Sequence, residues 1–150
     1  MKYIYILFVI SIFLFGCSGA VRTTINPEEK NYTFEENTSK SKTVAFEAVD
    51  EWLAVNANNA KNIIQLKDKD AGKFVAKPTM NVTVGLTKLP MNYSLILRIS
   101  DEKIIFNFEI GEMATAYGGY PPESSIEEIK NEFISMKDDI LNKIENYVSN

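Results

Sequence analysis

Tyr93-Ser94-Leu95-Ile96-Leu97-Arg98-Ile99-Ser100-Asp101-Glu102-Lys103-Ile104-Ile105-Phe106-Asn107-Phe108-Glu109-Ile110 is the stretch that decides how this chain folds. Tyr93, Leu95, Leu97 and Ile99 fall on one side of a first strand, and Ile104, Phe106, Phe108 and Ile110 on one side of a second. A turn centred on Asp101-Glu102 pairs Ile99 with Ile104, Leu97 with Phe106, Leu95 with Phe108 and Tyr93 with Ile110. Every inward pair is then apolar on both strands, and a one-residue slip would send one strand's set to the wrong face. Asp-Glu suits a two-residue turn poorly, so a four-residue loop with the same pairing fits equally well.

Working outward, Leu89-Pro90-Met91-Asn92 reads as the turn that enters this hairpin. Before it, Thr79–Thr87 alternates with Met80, Val82, Val84 and Leu86 inward. Pro78 has no amide hydrogen and marks a bulge, an edge or a break. Lys73–Lys77 and Asn62–Lys67 are strands joined by a turn at Asp68–Gly72, with Ile64 and Leu66 on one face. Asn31–Glu36 alternates weakly around Tyr32 and Phe34.

Two segments keep a helical period. After candidate N-caps Ser39 and Ser41, the positions Ala45, Ala48, Val49, Trp52 and Leu53 form one stripe that fades at Asn56–Asn59. Trp52 in that stripe reads as a core anchor. Ser125-Ile126-Glu127-Glu128 spells a capping box. From it Ile126, Ile129, Phe133, Met136, Ile140, Leu141, Ile144, Tyr147 and Val148 run to the C-terminus. The order is read as β-α-β-β-β-β-α. Both helices must cover the same face of one antiparallel sheet, which makes residues 31–150 a single α+β domain.

The first sixteen residues have a different character. Lys2 is a minimal positive start, Tyr3–Phe15 is apolar except for Ser11, and Leu14-Phe15-Gly16-Cys17 reads as a lipobox. As a helix Tyr3–Phe15 rises only ~20 Å against a ~30 Å hydrocarbon core, so it is too short to span. The expectation is cleavage between Gly16 and Cys17, acylation of Cys17 (diacylglycerol and a palmitate-type chain), and a flexible tether over residues 17–30. Cys17 is the sole cysteine, so no internal disulfide can form. Ser18 after it carries no aspartate-type retention signal, which points to the outer membrane. The net charge of −4 becomes about −5 without Lys2, and no basic stripe exists, which excludes nucleic acid.

The chain resembles a bacterial lipoprotein family of unknown function with a TBP-like fold (that of the TATA-binding protein). The resemblance is carried by Asp50-Glu51-Trp52-Leu53-Ala54, by Ile63-Ile64-Gln65-Leu66-Lys67-Asp68-Lys69-Asp70-Ala71-Gly72 and by Leu95–Lys103. It covers roughly residues 31–149 and implies a fold, with no activity attached. Asp101-Glu102-Lys103 stands where the resemblance implies Asp-Gly-Lys.

The chain has no histidine, which removes the usual general base and metal ligand, and the lone cysteine removes thiol and zinc chemistry. Only carboxylates remain for catalysis. Asp68 and Asp70 share a turn too short to enclose calcium, and Glu47, Asp50 and Glu51 read as a solvated helix face. Two surfaces are left as binding candidates. One is the uncovered sheet face with Asn81, Thr83, Ser94, Ile96, Arg98, Lys103, Ile105, Asn107 and Glu109, which a second copy of the chain would be one way to cover. The other is the Tyr117–Pro122 loop, with Tyr117 and Tyr120. The expectation is a non-enzymatic envelope module that binds a protein, without metal or cofactor beyond the lipid. A carboxylate-dependent hydrolase or glycan-processing enzyme is the alternative, and an inhibitor or immunity protein is another.

Overall fold

A computed structural model describes residues 29–56, 63–114 and 118–148. The signal segment, Cys17, nearly all of the expected tether, Ala57–Asn59, Asn62 and Tyr117 lie outside them. The elements are β1 (Asn31–Asn37), α1 (Lys42–Asn56), β2 (Ile64–Asp68), β3 (Lys73–Ala76), β4 (Thr79–Val84), β5 (Thr87–Ser100), β6 (Lys103–Met113) and α2 (Ile126–Glu145). The six strands form one antiparallel sheet in the order β1-β6-β5-β3-β2, with β4 also paired to β5.

Five strands lie between the helices, one more than the order read from the sequence counts, although the alternating runs named there number five. Strands β3 and β4 are two collinear pieces lying along β5. Lys73–Ala76 pairs with Arg98–Leu95, and Thr79–Val84 with Asn92–Thr87. At the break the Pro78 carbonyl still accepts from the Tyr93 N–H at 3.1 Å.

The late hairpin has the register read from its alternation, pair for pair from Ile99↔Ile104 to Tyr93↔Ile110. Its loop is the two-residue form, closed by Ser100↔Lys103, and Glu102 takes a φ of 63°. That left-handed conformation is costly for a residue with a Cβ.

The other end of β5 differs from the expectation. Leu89–Asn92 is no turn, because β5 runs straight through it. The chain reverses at Gly85-Leu86, between paired Val84 and Thr87. Gly85 has a φ of 63°, which fits the turn class that takes glycine at its first central position. Pro90 is tolerated because its missing N–H lies on the β6 side just where that ladder ends. Its carbonyl accepts from Ala114 N–H at 2.7 Å. Leu86, expected inward, is fully exposed at the hairpin tip.

Both helices cover one face. Between them and the sheet lie Phe74, Leu95, Leu97, Phe106 and Phe108 from the strands, Phe46, Val49 and Leu53 from α1, and Ile129, Phe133, Ile140 and Ile144 from α2. Phe133 stacks on Phe108 at 4.5 Å and meets Tyr32 and Tyr93 on its flanks. Phe46 stacks on Phe74 at 4.1 Å. Phe46 belongs to the buried stripe of α1 although the periodic set read from sequence omits it, while Trp52 is half-buried against the core. Helix α2 stops at Glu145, so Val148 is exposed and not part of its apolar stripe.

The capping box does not form. A short 3-10 turn, Glu123–Ser125, precedes α2 and leaves Ser125 in a helical conformation with no side-chain cap. Its hydroxyl donates instead to the Thr83 carbonyl at 2.5 Å, and Glu128 accepts from the Thr83 N–H at 3.1 Å. The two residues that spell a helix start therefore seal the outer edge of β4, where no strand pairs.

Candidate functional site

The face opposite the helices carries two cross-strand rows. One runs Leu66–Val75–Ile96–Asn107–Thr33 across β2, β3, β5, β6 and β1, and its neighbour runs Lys73–Arg98–Ile105–Glu35. Within them Leu66, Val75, Ile96 and Ile105 make an apolar diagonal. Leu66 is 41% exposed, and the other three are half-buried by their neighbours in the sheet. Polar groups frame it. Thr33 Oγ1 donates to Asn107 Oδ1 at 2.9 Å, Lys103 pairs with Glu35, and Arg98 is exposed.

The sequence placed Ile96, Arg98, Lys103, Ile105 and Asn107 on this face, and the strand register brings them together there. Leu66 and Val75 were not foreseen. Val75 follows from simple alternation with the buried Phe74 and Ala76. Leu66 does not, because a bulge between Ile64 and Leu66 moves it to the face opposite Ile64. Thr83 leaves the face for the sheet edge, where its hydroxyl as well as its N–H donates to Glu128. Tyr120 lies apart from the face, half-buried against the core, with Lys30 Nζ 3.6 Å from its ring centroid.

Most of the acidic side chains weighed from the sequence are engaged elsewhere. Lys67 donates to Asp50 at 2.5 Å, Lys69 to Glu47 at 3.0 Å and Lys143 to Glu51 at 2.7 Å. They join α1 to β2 and α2. Asp68 accepts from the Ala71 N–H within its own turn. Glu145 accepts from both Ser39 and Thr38 hydroxyls at 2.6 Å, and those hydrogen bonds hold its carboxyl below the usual range. A general acid would need the opposite shift. Burial pushes the Tyr93 phenol well up, and its hydroxyl meets only the Met136 sulfur, at 3.3 Å, among the contacts described. Among the described residues no three acidic or sulfur ligands gather as a metal would require.

A sheet of this order, with two helices on one face, is the architecture that the sequence comparison names. Residues 33–110 match the domain of unknown function DUF4468 with a TBP-like fold. The chain belongs to the DUF4468 family. Solved structures agree on the fold. A TBP-like protein from Parabacteroides distasonis superposes with a TM-score of 0.60 at 12% identity, over 85% of this chain and 99% of that one. A DUF4468 family protein from Bacteroides ovatus superposes with a TM-score of 0.53, also at 12% identity, over 83% and 89%. No curated protein matches the sequence. At such identities the likeness carries the fold alone. The DUF4468 match takes in the open-face residues Val75, Ile96, Arg98 and Ile105.

Proposed function

We propose that this DUF4468 protein is a lipid-anchored, non-enzymatic binding module of the cell envelope, most simply of an outer membrane. In this reading its open sheet face receives another envelope protein. The observation that carries it is the apolar diagonal Leu66–Val75–Ile96–Ile105, framed by charges of both signs, on the face opposite both described helices. An apolar centre with a mixed polar rim suits a protein surface. Nucleic acid would want a basic stripe, and a net charge of −4 argues against it. The anchoring half of the reading rests on Leu14-Phe15-Gly16-Cys17. Among the described residues no helix is long and apolar enough to cross a membrane, which is compatible with attachment by lipid. The catalytic alternative would need two acids facing one cleft, whereas Glu47, Asp50 and Glu51 pair with lysines and Asp68 with a turn amide.

Two measurements test the two halves. Mass spectrometry of the mature N-terminus should find acylated Cys17, and an intact Met1 or a free thiol would defeat the anchoring. Affinity capture from detergent-solubilised envelopes at native expression should yield a partner that Ile105→Glu loses while its melting curve stays cooperative. Capture unchanged by Ile105→Glu, or no partner at all, would remove the open face from the account.

A further inference from the structure

The tip of the β4–β5 hairpin joins an unusual side chain to a particular position. Leu86 is fully exposed at the turn, and a Cβ added at neighbouring Gly85 would meet nothing within 4 Å. Turn positions of this kind ordinarily take polar residues or glycine. A lone exposed leucine on a protein surface requires no explanation. The direction of the hairpin sets this one apart.

Strand β1 runs parallel to β5, since both pair antiparallel with β6. Asn31, where the chain enters the sheet, is level with Glu109 and Ser94. The tip lies eight positions further back along β5, roughly 25 Å at ~3.3 Å per residue. The N-terminal end of β1 therefore lies toward the same end of the sheet as the tip, and the chain bends at Lys30 just before it. The entry is fixed there, because Lys30 gives its carbonyl to the Ile110 N–H at 2.8 Å and lays its ammonium on the Tyr120 ring. Residues 18–30 can reach at most ~45 Å when extended. That covers the tip's lead, so the lipid on Cys17 and Leu86 can lie in one plane.

The charges are layered behind the tip. Val84, Gly85, Leu86 and Thr87 are uncharged, and the exposed Lys88 follows two positions behind Leu86. Glu128 bonds Thr83, the partner of Lys88, and exposed Glu123 and Glu127 belong to the same end of α2. An apolar point, with one cation and carboxylates together at the next level, suits a zwitterionic headgroup layer. A strongly anionic surface would repel those carboxylates.

We propose that the Gly85-Leu86 tip is a second membrane contact. Leu86 enters the lipid surface to which Cys17 is attached, and this stands the sheet on end with the Asp101-Glu102 turn farthest from the bilayer. The proposal rests on the anchoring reading above. Once the chain is tethered, the contact is intramolecular, so even a single leucine biases orientation.

The test uses the full-length product in vesicles of phosphatidylethanolamine and phosphatidylcholine whose acyl chains are brominated, with Trp52 as background. Leu86→Trp should be quenched several-fold more than Asp70→Trp, which places the probe in the turn at the opposite end. Equal quenching overturns the proposal. Protection of Leu86→Trp from an aqueous quencher without quenching by bromolipid assigns the tip to a second copy of the chain, the one protein present, and also overturns it. Replacing a third of the lipid with phosphatidylglycerol should leave the quenching equal or lower. A several-fold rise would mean attraction through Lys88, not insertion of Leu86. The mass of each sample shows whether Cys17 carries lipid. If it does not, its thiol is coupled to a maleimide lipid and the quenching repeated, so the tip is decided whether or not natural anchoring holds.

Discussion

The two ends of β5 are built from the same device and treated in opposite ways. Each is a two-residue reversal with one residue in the left-handed region, Gly85 at one end and Glu102 at the other. Around Asp101-Glu102 the rest of the chain closes in. Asp101 accepts from the Lys42 N–H at 3.0 Å and so occupies the N-terminus of α1, and the Glu102 carbonyl accepts from Thr38 N–H at 3.0 Å. Gly72 lies against this end, with the Ile99 N–H donating to its carbonyl at 2.7 Å, and Glu145 ties the end of α2 to Thr38 and Ser39. Among the described residues nothing comparable surrounds Gly85. One reversal is a structural junction, and the other is a projection fastened at its base by Ser125 and Glu128. Glycine stands where the chain is free and glutamate where it is locked. Conformational strain is thus tolerated only where several other contacts hold the turn in place.

The sharpest way to break this contrast is a matched pair of alanines. Gly72 and Gly85 share a φ of 63°, but a Cβ on Gly72 would stand 2.0 Å from the Ile99 carbonyl oxygen, while one on Gly85 meets open space. In urea melts Gly72→Ala should lose ~3 kcal/mol or more, and Gly85→Ala ~1 kcal/mol, the backbone cost alone. Equal losses would mean that Gly72 is not wedged. Next, Glu128→Ala should cost ~1–2 kcal/mol by leaving the Thr83 N–H unpaired at the sheet edge. A neutral result would show the free end to be loose down to its base.

At the locked turn two substitutions should move stability in opposite directions. Asp101→Ala removes the helix cap and should cost ~1 kcal/mol, while Glu102→Gly relieves a left-handed residue and should add ~0.5–1 kcal/mol. The smallest effect is a pH dependence. The Glu145 carboxyl lies below its ordinary value of 4.5 in the folded chain, held there by the hydroxyls of Ser39 and Thr38. A depressed acid contributes fully above its unfolded pKa and loses its contribution as pH falls through the folded one. Glu145→Gln should therefore matter near neutrality, by no more than about 1 kcal/mol for an exposed carboxylate, and the difference from the unmodified chain should shrink as the pH falls below the ordinary value and through the lowered folded one.

The same contrast explains what could be read in the sequence. The Tyr93–Ile110 register was legible because both strands alternate cleanly and only one pairing buries both sets. The α+β class followed from two helical periods on either side of alternating runs. The Gly85-Leu86 turn was not read because Thr79–Thr87 alternates straight through it, and the proline at position 90 is a stronger local signal than a lone glycine. Alternation also placed Leu66 on the same face as Ile64, since a bulge leaves no mark on a short strand. Ser125 and Glu128 have the spelling of a capping box, but their partner lies more than forty residues away on β4, and no local rule reaches that far. Of the open face, Ile96, Arg98 and Ile105 were legible by alternation. The row that joins Ile96 to Val75 and Leu66 depends on strand order, which periodicity does not encode.

The antiparallel pairing of β1 with β6 also has a mechanical meaning. All seven residues of β1 are matched, from Asn31↔Glu109 to Asn37↔Lys103, and tension on the chain ahead of Asn31 can act along the strand's own axis. Ladder bonds in an antiparallel pair lie across the strands. A pull on the N-terminus in that direction would load the whole β1–β6 ladder in shear at once, and the bonds could not open one after another as they do in peeling. A domain suspended by its first strand in this way would resist tension through its entire edge.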